Sequence, residues 1–132
     1  MNNVVAINSY LVKAEFGFAV SNKVPISIEI GDIIEIKDVQ EKKVVLSVCR
    51  TIKTNDLNVN LANVEFEVQI DTIAQETFET VETKLKNGTP IYGNVFSRIS
   101  LNISENTAFS RFGPIVTMPI FYQKNGTIIS RK

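Results

Sequence analysis

The chain has 132 residues, of which 44% are hydrophobic, and its 14 Lys+Arg balance its 14 Asp+Glu. It contains no His, no Trp and one Cys, which excludes an internal disulfide framework, a His-based catalytic triad and a zinc cluster built on Cys. Zero net charge is untypical of general nucleic-acid binders, and no apolar run approaches the roughly 20 residues of a membrane span.

The length fits one domain, which we place at residues 1–132. The first residues lack the basic end and long apolar core of a signal peptide. We therefore expect a cytoplasmic protein whose Cys49 is reduced.

Alternating apolar residues predict four β-strands in the first half of the chain. Ile, Val and Thr make up 42 of the 132 residues, and these β-branched residues favour strands. The first strand is predicted at 10–20. The second starts near 26 and is interrupted at Gly31-Asp32, so one bulged strand or two short ones would fit. The third covers 44–53, and the fourth slips phase at Ala62-Asn63, which indicates a bulge.

The second half of the chain predicts a helix followed by an apolar loop. Residues 77–85 fit either a short helix or a last edge strand. Thr89-Pro90 reads as a helix start, and Ile91, Val95, Ile99 and Ile103 recur every four residues, which predicts a helix at about 90–108. Residues 112–122 are apolar with two prolines, so we expect an extended loop laid on the core. The tail, 123–132, is predicted to be short and polar with a turn at Asn125-Gly126.

Charge is distributed unevenly along the chain. Residues 1–83 carry a net charge of −6 and residues 84–132 a net charge of +6. Six acids and no base lie between 64 and 83. This pattern is typical of solvated faces, and it also fits an acidic sheet and a basic tail that steer partners.

The chain shows no catalytic constellation. Glu65 and Glu67 share a strand face, but acids in this arrangement are usually solvated, and Cys49 has no His to activate it. We find no Gly-rich phosphate loop and no metal-ligand spacing in the sequence. We therefore predict that the protein is not an enzyme and needs no cofactor and no metal.

The apolar stretch from Ile115 to Tyr122 has two interpretations. It either closes the core or borders a groove for apolar peptide.

Three stretches in this order resemble the SecB protein-export chaperones. Phe66-Glu67-Val68-Gln69 is similar to the family's third-strand motif. Residues 92–101, with Arg98, are similar to its first long helix, and residues 112–121 to its Pro-containing loop. The resemblance covers about residues 10–122. Ala19 stands where the family has a second acid, and the stretch after Tyr122 departs from the family's second helix and zinc-binding tail.

The resemblance implies an α+β fold, in which an antiparallel four-stranded sheet (about 10–72) is packed by one long C-terminal helix. It also implies an ATP-independent chaperone, or holdase, that binds unfolded or preprotein polypeptide in an apolar groove. Homo-oligomers, as dimers or tetramers, and a contact with the translocase motor ATPase are further implications. The alternative is a non-catalytic structural or assembly β-domain, for example phage or envelope associated, that only oligomerises.

The resemblance also assigns two sets of residues. The peptide groove would be lined by Phe16, Phe18, Phe96, Phe112, Ile115, Val116, Met118, Ile120, Phe121 and Tyr122. The acidic partner face would be formed by Glu15, Glu65 and Glu67.

Overall fold

The protein folds into one mixed β-sheet covered on one side by helices. The computed structural model describes residues 4–17, 28–54, 60–108, 113–122 and 126–130. The elements in chain order are β1 (Val4–Phe16), β2 (Ile28–Gln40), β3 (Lys43–Thr54), β4 (Asn60–Thr72), α1 (Phe78–Lys86), α2 (Val95–Asn106) and β5 (Thr127–Ser130). The strand order is β1-β4-β3-β2-β5. The first four strands pair antiparallel, and β5 runs parallel to β2.

The predicted α+β class is confirmed, but two details of the predicted architecture are wrong. The sheet has a fifth, parallel strand, because the β-branched run Thr127-Ile128-Ile129 pairs with Ile33–Ile36 instead of forming a polar tail. The long helix is therefore not C-terminal, and a second, shorter helix precedes it.

Period-two alternation places one apolar set of side chains on a single side of the sheet, here called the covered face. Helix α2 packs over β4, and α1 packs over β2 and β5. The covered face carries Ile34, Ile36, Val44, Leu46, Val48, Ile52, Val64, Phe66, Val68 and Ile70, all buried. The opposite side, called the outer face, carries Glu35, Ser47, Cys49, Glu65 and Glu67.

The structure resolves the open interpretation of residues 77–85 in favour of a helix. Thr77 is the N-cap of α1 and forms a reciprocal capping box with Thr80. Helix α2 begins at Val95, five residues later than predicted, because residues 91–94 form a turn in which Gly93 has φ +64°. Neither helix, with 9 and 12 residues, is long enough to cross a membrane, and no other helix occurs in the described ranges.

Bulges occur close to the points where the sequence changes phase. β2 is a single strand, and its irregularity lies between Ile36 and Asp38, not at Gly31. β4 contains the predicted bulge near its start, where Ile52 pairs with Ala62 but Lys53 pairs with Asn60. β1 starts earlier than predicted, and residues 18–20 of the predicted strand lie outside the described residues.

A glycine at the end of β1 is required by the close approach of β4. A Cβ atom on Gly17 would lie 2.5 Å from the carbonyl oxygen of Asn60, whereas one on Gly31 would have nothing within 4 Å. We expect Gly17→Ala to lower the free energy of unfolding by about 1–3 kcal/mol, because the backbone must shift. The matched variant Gly31→Ala should be neutral or stabilising by about 0.4–1 kcal/mol. Urea unfolding of both variants checks this, and equal midpoints would contradict it.

Candidate functional site

The extended segment 113–122, here called the loop, crosses the covered face beside α2. The amide of Ile115 donates a hydrogen bond to the Thr107 hydroxyl over 2.8 Å. The hydroxyl of Ser100, two turns earlier in α2, donates to the carbonyl oxygen of Thr117 over 2.6 Å. The loop therefore runs antiparallel to α2 from its C-terminal end towards its middle.

An ion pair lies directly beneath the loop. Asp32 of β2 and Arg50 of β3 stand opposite each other in the strand register, and both side chains are 0% exposed. The guanidinium binds the carboxylate with two parallel hydrogen bonds of 2.8 Å, from Nε to Oδ1 and from Nη2 to Oδ2. This bidentate geometry is the strongest form of the interaction, and it lets a charge pair exist inside an apolar core.

The remaining donors of Arg50 all point to the loop. Nη1 donates to the Thr117 hydroxyl at 2.9 Å and to the Met118 carbonyl at 2.7 Å, and Nη2 donates to the Ile120 carbonyl at 2.6 Å. A guanidinium has five N–H donors, so every one of them is used. The carboxylate of Asp32 also holds the loop, because it accepts the amide of Tyr122 over 2.9 Å.

Aromatic rings complete the surroundings of the guanidinium. Its central carbon lies 5.2 Å from the centre of the Phe96 ring and 4.7 Å from that of Tyr122. Phe96 also meets Tyr92 edge to face at 5.2 Å and Phe121 at 5.9 Å. Cation–π contacts on two rings add to the stability of the buried charge.

The other side of the loop exposes three apolar side chains, here called the apolar rim. Val116, Met118 and Ile120 are 78%, 48% and 56% exposed, while Thr117 between them is buried. From Val116 to Met118 the alternation is that of an extended chain, in which successive side chains point to opposite sides. The chain then bends at Pro119 and Ile120, and both of these side chains are exposed. Leu101, the residue after Ser100 on α2, is exposed as well. The rim therefore offers apolar surface to a partner.

Eight of the ten predicted groove residues are described by the structure, and they fall into three groups. Val116, Met118 and Ile120 form the rim. Phe96 is 1% exposed and supports the loop from below, so it contributes no surface to a groove. Phe16, Ile115, Phe121 and Tyr122 are partly buried. Phe18 and Phe112 lie outside the described residues.

A cavity of about 290 Å³ opens beside the loop, between the end of α1 and β5. Its walls are formed by Leu85, Lys86, Phe121, Gly126 and Ile128. Phe121 belongs to both the loop and the cavity, so the cavity adds concave surface next to the loop.

The three predicted acidic residues share the outer face. Glu67 pairs with Tyr10 and Ser47, Glu65 with Lys13 and Cys49, and Glu15 with Asn63. Each carboxylate already has a partner. Glu65 accepts from the Ser47 hydroxyl at 3.0 Å, Glu67 accepts from the Gln69 amide at 3.0 Å, and Glu15 lies 3.3 Å from the Lys13 ammonium.

The thiol of Cys49 on the outer face is held as a structural group. It donates a hydrogen bond to Asn63 Oδ1 over 3.1 Å. Burial raises the pKa of this thiol above its ordinary value, the Thr51 side chain lowers it, and Glu65 raises it further. A thiol with a raised pKa stays protonated at neutral pH and is a poor nucleophile.

Sequence reasoning missed the residues that hold the loop. Asp32 was interpreted only as part of an interruption of a strand, and Arg50 was not singled out within the third strand. The signal was present, because each is the one charged residue at an inward position of its strand. A buried charge requires a partner, so two such positions on neighbouring strands predict an ion pair.

Removing one partner of the ion pair should destabilise the protein strongly. Arg50→Met leaves the Asp32 carboxylate buried without a counter-charge, and we expect a loss of about 3–5 kcal/mol in the free energy of unfolding. The control is Lys86→Met, which removes a surface ion pair with Glu82 whose lysine side chain is 61% exposed. That variant should lose no more than about 1 kcal/mol. Similar losses in urea unfolding for the two variants would refute the assignment.

Comparison with known proteins supports the fold. No family model matches this chain, and no curated protein matches it significantly. Among solved structures, the SecB-like chaperone Rv1957 of Mycobacterium tuberculosis, in complex with a ChAD peptide from the Rv1956 HigA1 antitoxin, is similar with a TM-score of 0.57. The sequences are 15% identical, and the match covers 86% of this chain and 84% of that chain. The resemblance noted in the sequence is thus confirmed for the fold, which is SecB-like.

Proposed function

We propose that this protein is a chaperone that holds unfolded polypeptide through the apolar rim of its loop. The observation that carries the proposal is the exposure of Val116, Met118 and Ile120 on a loop anchored by a buried ion pair. Apolar side chains exposed in this way are unfavourable in water unless a partner covers them. The SecB-like fold supports this function, and the similar M. tuberculosis chaperone was solved with a bound peptide.

The chemistry of the rim suits clients of many sequences. Met118 is unbranched and adapts its shape, and the partly buried rings of Phe121 and Tyr122 lie in the same loop. We propose that binding uses no ATP and that the protein catalyses no reaction, in line with the absence of a phosphate-binding loop from the sequence. Cytoplasmic location stays a prediction.

We further propose that the protein is a homo-oligomer and that β1 is one of its contact surfaces. β1 is an edge strand of the sheet formed by the described residues. Its exposed residues include Val5, Tyr10, Leu11 and Val12, which are apolar or aromatic. A long edge strand with such side chains is a ready template for pairing with another chain.

We also propose that the outer face contacts a translocase motor ATPase. Glu65 and Glu67 supply negative charge there, while Lys13 neutralises part of the charge of Glu15. The contact would therefore centre on β4 rather than on β1. An assembly protein that only oligomerises is the alternative, and the following experiment separates the two.

The first test is suppression of aggregation. An unfolded preprotein is diluted into buffer with an equimolar amount of this protein and no nucleotide, and we expect a clear solution and a stable complex on a sizing column. The double variant Met118→Ser/Ile120→Ser should weaken capture by about tenfold or more. Each substitution removes an apolar side chain whose full burial contributes roughly 1.5–3 kcal/mol of binding free energy. The fold should persist, since both side chains are exposed.

The matched control for this test is Ile73→Ser. Ile73 is 62% exposed and follows β4, nine residues beyond Val64, which is the β4 residue that pairs with Arg50. The Ile73→Ser variant should capture as much client as the unmodified protein captures. Unchanged aggregation with the unmodified protein would contradict a general holdase and favour the assembly alternative. Equal loss in the control would show that the rim is not the binding surface.

The oligomer is tested by placing a charge on β1. Val12 lies at a register shift, where Leu11 pairs with Phe66 and Lys13 with Glu65, and it is 58% exposed. Lysine on an edge strand opposes pairing between edges. We expect Val12→Lys to reduce the mass measured by light scattering while the circular dichroism spectrum stays the same. Leu101→Lys, an equally exposed site on α2, serves as control, and a mass unchanged by Val12→Lys would place the interface elsewhere.

A further inference from the structure

We propose that Asp32 and Arg50 are positioning residues for the loop, and that their main effect is to keep the apolar rim facing outward. The consequence for client capture rests on the proposed function. The positioning itself is a property of the molecule and is tested independently.

The five guanidinium hydrogen bonds are divided between the carboxylate and the loop. Two go to Asp32 and three go to the loop, at Thr117, Met118 and Ile120. The chain bends at Pro119 and Ile120, and the carbonyls of Met118 and Ile120 on either side of Pro119 both accept from the same guanidinium. Holding the carbonyls of Met118 and Ile120 on one side therefore fixes the orientation of the segment between them.

The carboxylate contributes its own contact to the loop. Asp32 Oδ2 accepts both a guanidinium N–H and the amide of Tyr122. The tyrosine in turn accepts the amide of Met118 through its hydroxyl at 3.1 Å. The pair thus holds the loop from residue 117 to residue 122, which includes two of the three rim side chains.

The sheet itself does not need a charge at these positions. Asp32 and Arg50 pair through their backbones within a continuous antiparallel ladder, among inward neighbours that are Ile, Val and Leu. Apolar residues of similar size usually replace a buried ion pair without loss of stability. What apolar residues cannot replace is the set of directed hydrogen bonds to the loop.

The choice of arginine follows from the same geometry. A lysine ammonium has three donors on one nitrogen, whereas the planar guanidinium presents five in a fixed fork. One ammonium cannot reach both carboxylate oxygens and the acceptors on three loop residues. Arg50→Lys should therefore keep the buried charge pair and lose the hold on the loop.

The deciding experiment is amide hydrogen exchange of the double variant Asp32→Leu/Arg50→Met. We expect the melting temperature to be maintained, while exchange in residues 117–122 accelerates at least about tenfold, the factor expected for losing a hydrogen bond to a charged group. The matched control is Glu76→Leu/Lys84→Met, which removes the ion pair of 2.9 Å beside α1. Exchange of the loop should be unchanged in that variant.

Client capture provides the second readout. The double variant should capture less unfolded preprotein than the control variant, although Val116, Met118 and Ile120 are all retained. Loop exchange equal to that of the unmodified protein would overturn the proposal. A loop that exchanges faster with undiminished capture would support the positioning role and overturn its consequence for client capture.

The positioning role stays testable if the double variant does not fold, and also if the unmodified protein captures no client. If the double variant does not fold, Arg50→Lys is measured in its place, and unchanged loop exchange in that variant would overturn the positioning role. If the unmodified protein captures no client, the proposed function fails. The exchange measurement would still decide whether Asp32 and Arg50 hold the loop.

Discussion

The position of the loop depends on a buried ion pair that joins two neighbouring strands to it. A charged guanidinium inside an apolar core is unfavourable unless all of its donors are satisfied. Arg50 meets this requirement with one carboxylate and three loop acceptors, between two aromatic rings. The loop is thereby ordered by the same contacts that neutralise the charge, and its outward side is left apolar.

The ion pair in turn depends on a bulge in β2. Next to the turn between β2 and β3, Gln40 pairs with Lys43. The strands keep this register as far as Asp38, which pairs with Val45. If the same register continued along the two strands, Asp32 would pair with Thr51, and the apolar side chains of β2 and β3 would point to opposite sides of the sheet. Lys37 is an extra residue in β2 and shifts the register by one. Asp32 therefore pairs with Arg50, and the apolar side chains of both strands lie on the same side of the sheet.

This dependence explains which features the sequence could predict. Alternation of apolar residues predicted the four strands of the first half of the chain, because the side-chain period of a strand is visible within one segment. The recurrence of Val95, Ile99 and Ile103 likewise predicted which side of α2 is buried, but the turn at Gly93 delayed its start. β5 was missed because four residues are too few for a periodic signal.

The site was predicted only in part, for a related reason. The apolar character of the rim is local, so Val116, Met118 and Ile120 were identified from the sequence. Phe96 was assigned to the groove as well, because exposure cannot be read from residue type, and it is buried under the loop. Asp32 and Arg50 are 18 residues apart, and their contact depends on a register that the alternation within each strand does not specify.

The anchoring of the loop at both ends has a thermodynamic consequence for any binding partner. The segment is attached to α2 at Ile115 and Thr117, and to the ion pair from Thr117 to Tyr122. Its backbone entropy is therefore lost during folding, not during recognition. Variation in what the surface accommodates must then come from side-chain rotamers, chiefly the three torsions of Met118, above a backbone that stays in place.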